Sequence, residues 1–327
     1  MTKISKLLFL FLPLLISCNA YNSKHDSINN TDSNLAFSLV DSNKYSYLPH
    51  SEGQLVHHNS YSLSYSEKHE QAYWVYYFLT SEMINGTVSR KNNFRIDEKI
   101  SQGSATLSDY KGYGFDRGHL APAADMKNSS ISMSESFLFS NISPQAPSFN
   151  RGIWKKLEGY VRQWASDNGS IYVVTGGVLK DIDQYIGTSN VGVPKYYYKV
   201  ILDYTGPEKK GIGFILPNQS SSKKLQLSAV SIDEVEALTG IDFFHSLPDN
   251  EELLLESQFN VNQWRFKTYV SESNMIPSTT SVIDSLKGNF NSIFPSSSVV
   301  QCNGITKSGN RCKRKTSNAS GFCYMHD

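Results

Sequence analysis

Apolar residues fall in short blocks separated by polar stretches that carry Gly and Pro. Ala72–Leu79 (Ala-Tyr-Trp-Val-Tyr-Tyr-Phe-Leu) is dense in aromatic and branched side chains, and Ile171–Thr175, Tyr196–Leu202 and Ile212–Leu216 read similarly. Runs of this length and make-up, bordered by Gly or Pro, predict buried strands. Trp154, Leu157, Val161 and Trp164 recur at the 3.6-residue period and predict a helix over Asn150–Ala165. Ser231-Ile232-Asp233-Glu234 has the form of a capping box, which predicts a short helix through Leu238, stopped by Gly240. Strands and helices mix without a regular β-α alternation, so the expected class is α+β rather than a doubly wound sheet. No internal repeat is present.

The two ends follow a different pattern. Lys3 and Lys6 precede an apolar run, Leu7–Ile16, broken only by Pro13. It is too short to cross a bilayer comfortably and reads as a secretory signal over residues 1–17. Leu15-Ile16-Ser17-Cys18 resembles the bacterial lipobox. That resemblance implies lipidation at Cys18 and an exported, membrane-anchored lipoprotein on a periplasmic or cell-surface face. An ordinary signal peptide with an incidental cysteine is the alternative. Residues 18–45, rich in Asn and Ser, predict a flexible tether. A folded domain is expected over 46–270, a Ser/Thr/Pro linker over 271–300 and a small tail over 301–327.

With 39% hydrophobic residues, the 327-residue chain has ample material for a core and is not a disordered protein. Its formal charge of +1 points to no polyanion partner, and the distribution sharpens this. The tail carries five basic residues against Asp327, while residues 18–300 carry 24 basic against 29 acidic residues, a net −5. Any polyanion site in the middle must therefore be a local cationic patch.

The phrase Tyr113-Gly114-Phe115-Asp116-Arg117-Gly118-His119-Leu120-Ala121-Pro122 suits such a patch. A neutral histidine can take a proton from water, an arginine can pair with phosphate oxygens, and Gly118 lets the backbone come close. A hydrogen-bonded structural histidine is the plain alternative. A second phrase, Phe139-Ser140-Asn141-Ile142-Ser143-Pro144-Gln145, is followed by Asn150-Arg151-Gly152-Ile153-Trp154-Lys155-Lys156-Leu157-Glu158. Together with Arg90–Asp97, Val193-Pro194-Lys195 and Val230–Phe243, these phrases resemble the DNA/RNA non-specific endonuclease family. These are the ββα-metal (His-Me finger) nucleases related to Serratia nuclease and mitochondrial endonuclease G. The resemblance spans roughly residues 60 to 260 and implies a ββα-metal fold on a central, mainly antiparallel sheet.

It also implies roles residue by residue. His119 becomes the general base and Asn150 the single direct protein ligand to Mg²⁺, with Mn²⁺ as a substitute. Glu158 would hold a metal-bound water, and its plain alternative is an i,i+4 pair with Arg162. Arg117, Arg90 and Arg162 would serve the scissile phosphate; their plain alternative is solvated surface charge. Asn141 and Gln145 would support the site, and Asp116 would be structural or orient the histidine. The implied reaction is direct attack by water on DNA or RNA, giving 5′-phosphate products with little sequence preference and marked salt sensitivity. A nucleic-acid-binding surface lipoprotein that does not hydrolyse is the rival reading, against which the complete His119–Asn150–Glu158 set argues.

In the tail, Cys302, Cys312, Cys323 and His326 form a complete Cys3His set for a tetrahedral structural Zn²⁺. The pattern resembles small zinc knuckles at the ends of some bacterial nucleases. One disulfide plus a free thiol is the alternative.

Overall fold

The computed structural model describes residues 45–50, 52–266, 300–305, 309, 311–312 and 315–316. The signal segment, Cys18, nearly all of the tether and the linker, Cys323 and His326 lie outside the described residues. Among the described residues, no helix is long and apolar enough to cross a membrane.

Eleven strands precede the tail: β1 (Gln54–His57), β2 (Ser62–Ser66), β3 (Gln71–Thr80), β4 (Asp116–His119), β5 (Ile142–Gln145), β6 (Ser170–Gly177), β7 (Tyr185–Ile186), β8 (Val191–Gly192), β9 (Tyr196–Asp203), β10 (Lys210–Pro217) and β11 (Ala229–Val230). Seven of them form one sheet in the order β1-β2-β3-β6-β9-β10-β11, with every neighbouring pair antiparallel. The α+β expectation and the large antiparallel sheet are both met. The sequence of β3 explains why this sheet is buried on both faces. Its side chains alternate, so Val75, Tyr77 and Leu79 enter one core while Trp74, Tyr76 and Phe78 enter the other. Burying a large apolar side chain stabilises by about 1.5–3 kcal/mol, so neither face could be left bare.

Three helices cover the faces: α1 (Lys155–Asn168), α2 (Ile232–Thr239) and α3 (Asp249–Ser257). Leu157, Val161, Trp164 and Ala165 of α1 pack on the Tyr77 face. Ile232 and Val235 of α2, with Leu255 of α3, pack on the Trp74 face. The capping box at α2 is present, and Gly240 ends that helix in the left-handed conformation.

The helix predicted from Asn150 instead starts at Lys155. Residues Asn150–Trp154 form a π-type turn, with Gly152 at φ −103° and ψ −111°. The apolar stripe begins at Trp154, so periodicity carries no information about the turn before it.

β3 and β6 are neighbours in the sheet, with Thr80 opposite Ser170, although residues 81–169 lie between them. The two ends of this insert meet where Ser81 N–H donates to Gly169 O at 3.1 Å. β4, β5 and α1 all belong to it. In the tail, β12 (Val300–Gln301) pairs with β13 (Lys315–Thr316), and Cys302 and Cys312 are buried together.

Candidate active site

β4 and β5 form a two-stranded antiparallel ribbon in which Gly118 faces Ser143 and His119 faces Ile142. Gly118 is required by close approach: a Cβ there would lie 2.1 Å from Gln145 Oε1. Gln145 thus supports the ribbon by packing against the motif glycine. The ribbon is tied to the main sheet through Ser143, whose hydroxyl bonds Gln71 of β3 and lies 2.6 Å from the Tyr197 hydroxyl of β9. Tyr197 also donates to Pro144 O at 3.0 Å. A short segment with little strand propensity is therefore held by pairing and by two sheet side chains.

His119 is 9% exposed, and its Nε2 is buried with no hydrogen-bond partner among the described residues. Phe137 meets the imidazole edge-on at 4.9 Å and Phe94 lies 5.8 Å away. The same rings carry the arginines: Arg117 sits 4.3 Å over Phe94 and Arg90 sits 4.8 Å over Phe137. Burial, followed by the positive charges of Arg90 and Arg117, pushes the His119 pKa down to about 3. The imidazole is neutral across any working range and free to accept a proton.

Asn141 is fully buried and committed to the backbone. Its Oδ1 accepts from Ala121 N–H at 2.9 Å, and its Nδ2 donates to Ala121 O and Ser136 O, each at 2.9 Å. It braces the turn after His119 through the backbone of Ala121 and Ser136.

Asn150 Nδ2 donates to Asp116 Oδ2 at 2.9 Å, which leaves Oδ1 uncommitted among the described residues. Arg151 closes a fork on the same carboxylate at 2.8 and 2.6 Å. Burial raises the Asp116 pKa, but these bonds outweigh it and hold the group below the usual carboxylate range. Asp116 therefore orients Asn150, not the histidine. Its physical reason is reach: the Asp116 side chain and His119 are separated along the ribbon, whereas the π-type turn brings the Asn150 amide directly onto the carboxylate.

Arg162 donates to the fully buried Asp125 at 2.8 Å, and the Tyr77 hydroxyl donates to the other Asp125 oxygen at 3.0 Å. The i,i+4 alternative for Glu158 and Arg162 is thus replaced by an Arg162–Asp125 pair. Glu158 is half-buried, and burial together with the nearby Asp125 charge raises its pKa against the pull of Lys199, Arg162 and Arg90. Lys199, on β9, is fully buried; its Nζ lies 4.6 Å from the Trp154 ring and has no hydrogen-bond partner among the described residues. Burial lowers its pKa, while Glu158 and Asp125 oppose that shift.

Sequence reasoning missed Asp125, Tyr77, Lys199, Phe94 and Phe137. Two carried a signal: a lysine inside the apolar run Tyr196–Asp203, and an aspartate after Ala123-Ala124, are both charges where burial is expected.

The donor set fits a hard divalent cation. It offers an amide oxygen on Asn150 and a carboxylate on Glu158, with no sulfur or imidazole required. Three exposed arginines stand at the site, Arg90 and Arg117 over the rings beside His119 and Arg151 on the Asp116 carboxylate.

The sequence profile of the DNA/RNA non-specific endonuclease family matches residues 41–250. Nuclease C1 of Cunninghamella echinulata var. echinulata is 36% identical over 216 residues, covering 61% of this chain and 86% of its own. A nuclease of Nostoc sp. is 32% identical, covering 75% and 94%. Human mitochondrial endonuclease G is 34% identical, covering 58% and 69%. Among solved structures, a chain of the EndoG/EndoGI complex superimposes with a TM-score of 0.56 at 29% identity, covering 60% of this chain and 87% of that one.

Proposed function

This chain belongs to the DNA/RNA non-specific endonuclease family of nucleic-acid hydrolases, and on that ground we propose that it is a Mg²⁺-dependent endonuclease cutting both DNA and RNA to 5′-phosphate products. The observation that carries this reading is the setting of His119, a neutral buried imidazole with one unpartnered nitrogen between two aromatic-mounted arginines.

Arg117 and Arg90 take the phosphate oxygens and hold the phosphorus near the imidazole. A phosphate between them offsets the two positive charges that depress His119, so its basicity rises on substrate arrival. His119 then accepts the proton of the attacking water. Asp116 fixes the Asn150 amide, whose free oxygen would hold the cation, and Glu158 would accept a hydrogen bond from a water on it. When bound there, Mg²⁺ offsets charge on the phosphate and the departing 3′ oxygen. Because the contacts are to phosphate, base identity and the 2′ hydroxyl matter little.

The test uses the purified chain with circular plasmid and with RNA, in Mg²⁺ or EDTA, beside His119→Ala and Asn150→Ala. Cutting of both substrates that needs Mg²⁺ and fails in both variants is expected. Binding without cutting would overturn the reading.

The tail is proposed to hold a structural Zn²⁺ through Cys302, Cys312, Cys323 and His326. Supporting this, Cys302 and Cys312 are buried together, Gly304 N–H donates to Cys302 Sγ at 3.3 Å, and Cys312 N–H donates to Gly304 O at 2.7 Å. One zinc per chain by elemental analysis, lost in Cys312→Ser, is expected. Export and lipid anchoring through Cys18 are proposed from the lipobox-like sequence. Fatty-acid labelling abolished by Cys18→Ala would support the anchor.

A further inference from the structure

Immediately before the catalytic ribbon the chain makes a small finger. Lys111, Gly112, Tyr113 and Gly114 are four consecutive exposed residues, and Tyr113 is 49% exposed. Gly112 and Gly114 adopt φ +87° and +79°, and a Cβ at either would meet nothing within 4 Å. The glycines are there for the backbone turn, and the finger stands in open space. Tyr113 makes no hydrogen bond and no ring contact among the described residues.

Its roots, in contrast, are fixed. Tyr110 is buried, and its hydroxyl donates at 3.1 Å to the carbonyl of Ile142, the residue paired with His119. On the other side, Phe115 packs against the cluster of Tyr110, Phe139 and Ile142. The finger is thus anchored to the strand pair that holds Arg117 and His119. Four residues separate Tyr113 from Arg117, a span of at most about 14 Å. A stacked strand advances about 3.4 Å per nucleotide, so Tyr113 can reach only nucleotides close to the phosphate held by Arg117.

A large exposed aromatic, a lysine beside it and a phosphate site within a few nucleotides are the parts of a single-strand stacking platform. Resting on the nuclease reading above, we propose that Tyr113 stacks on an unpaired base flanking the cut, with Lys111 meeting the adjoining phosphate. In a duplex the base faces are already stacked on one another, and the ring has none to take without unstacking them. Tyr113 therefore sets a preference for unpaired DNA and RNA on a site otherwise indifferent to sequence.

The test compares the full chain with Tyr113→Ala and Tyr113→Trp on a single-stranded oligonucleotide and on the same sequence as a duplex. An alanine truncation of one stacking contact is expected to raise KM on the single strand roughly 5- to 150-fold at unchanged kcat. The duplex KM should stay within about 2-fold, and Tyr113→Trp should restore single-strand affinity, because the ring is exposed and no packing is disturbed. Equal losses on both substrates, or none on either, would overturn the proposal. Fluorescence anisotropy with a labelled oligonucleotide in metal-free buffer separates this from failure of the nuclease reading. A parent that binds but never cuts sinks the reaction, while the Tyr113→Ala difference in single-strand binding still decides the stacking.

Discussion

Two buried histidines, one before the insert and one within it, have been given opposite surroundings. His58, 3% exposed, lies in the turn between β1 and β2, with Nε2 2.9 Å from Asp97 Oδ2 and Nδ1 3.8 Å from Glu135 Oε1. Burial pulls its pKa down, but the bonds and charges of Asp97 and Glu135 outweigh burial and raise it. Ser140 braces Asp97 with a 2.5 Å hydrogen bond, so this cluster backs the turn that holds Asn141. His119 has comparable burial, but its charged neighbours are arginines and it lacks a partner for Nε2. Depth alone therefore does not decide what a histidine does. Acid neighbours make His58 a hydrogen-bonded tie between segments and favour its protonated form, whereas cationic neighbours make His119 an uncharged base.

The largest test of that contrast is His119→Ala. Loss of a general base should lower the cleavage rate of the folded protein about 10²- to 10⁴-fold, measured by plasmid nicking. A rate that survives would break the comparison at its catalytic end. His58→Ala should do the reverse. Leaving the buried Asp97 short of this hydrogen-bond partner costs about 1–3 kcal/mol, read by chemical denaturation, while the kcat of the folded fraction is retained. Next in size is Asp116→Ala, which frees the Asn150 amide. A 10- to 100-fold weaker dependence on Mg²⁺ is expected from a titration of rate against metal, as is usual for an orienting carboxylate.

The smallest effect is in pH, and the two histidines have opposite signs. His58 is raised in the folded state, so its contribution is complete at low pH and is lost as pH rises through its folded value. His119 falls from 6.5 to about 3, so stability is present above 6.5 and is lost progressively as pH falls toward about 3. His58→Gln should flatten the alkaline decline in denaturation midpoint, and His119→Ala should flatten the acid one. If the same variant flattened both, the assignment of the two environments would be wrong.

β3, β6, β9 and β10 were readable because each is a run of apolar and aromatic residues, whereas β1, β2 and β11 are shorter or more polar and carry no such run. β4 was not legible either: Asp-Arg-Gly-His carries no strand propensity, and its conformation comes from pairing with β5, which Tyr197 and Gln71 hold in turn. α3 was also passed over, although Pro248 followed by Asp249, Glu251 and Glu252 is a helix-start pattern. Within the site, His119, Arg117, Asn150 and Glu158 were legible from two contiguous phrases. Asp125 and Tyr77 were not, since 48 residues separate them and only the folded sheet brings them together. Arg162 was singled out from the sequence, but its ion-pair partner Asp125 was not. Helical spacing favours Glu158, and the buried Asp125 offers a carboxylate in better geometry.

The insert between Thr80 and Ser170 has a consequence for descent. It holds every residue given a part in the proposed reaction, from Arg90 to Glu158, and it also supplies α1, which covers the Tyr77 face of the sheet. Deleting it would leave a hairpin whose ends already touch, but with that face open to water. A lineage that abandons cutting therefore cannot shed this stretch as spare sequence. Its inactive descendants should keep their full length and be recognisable by point changes at positions such as His119, with the surrounding packing retained.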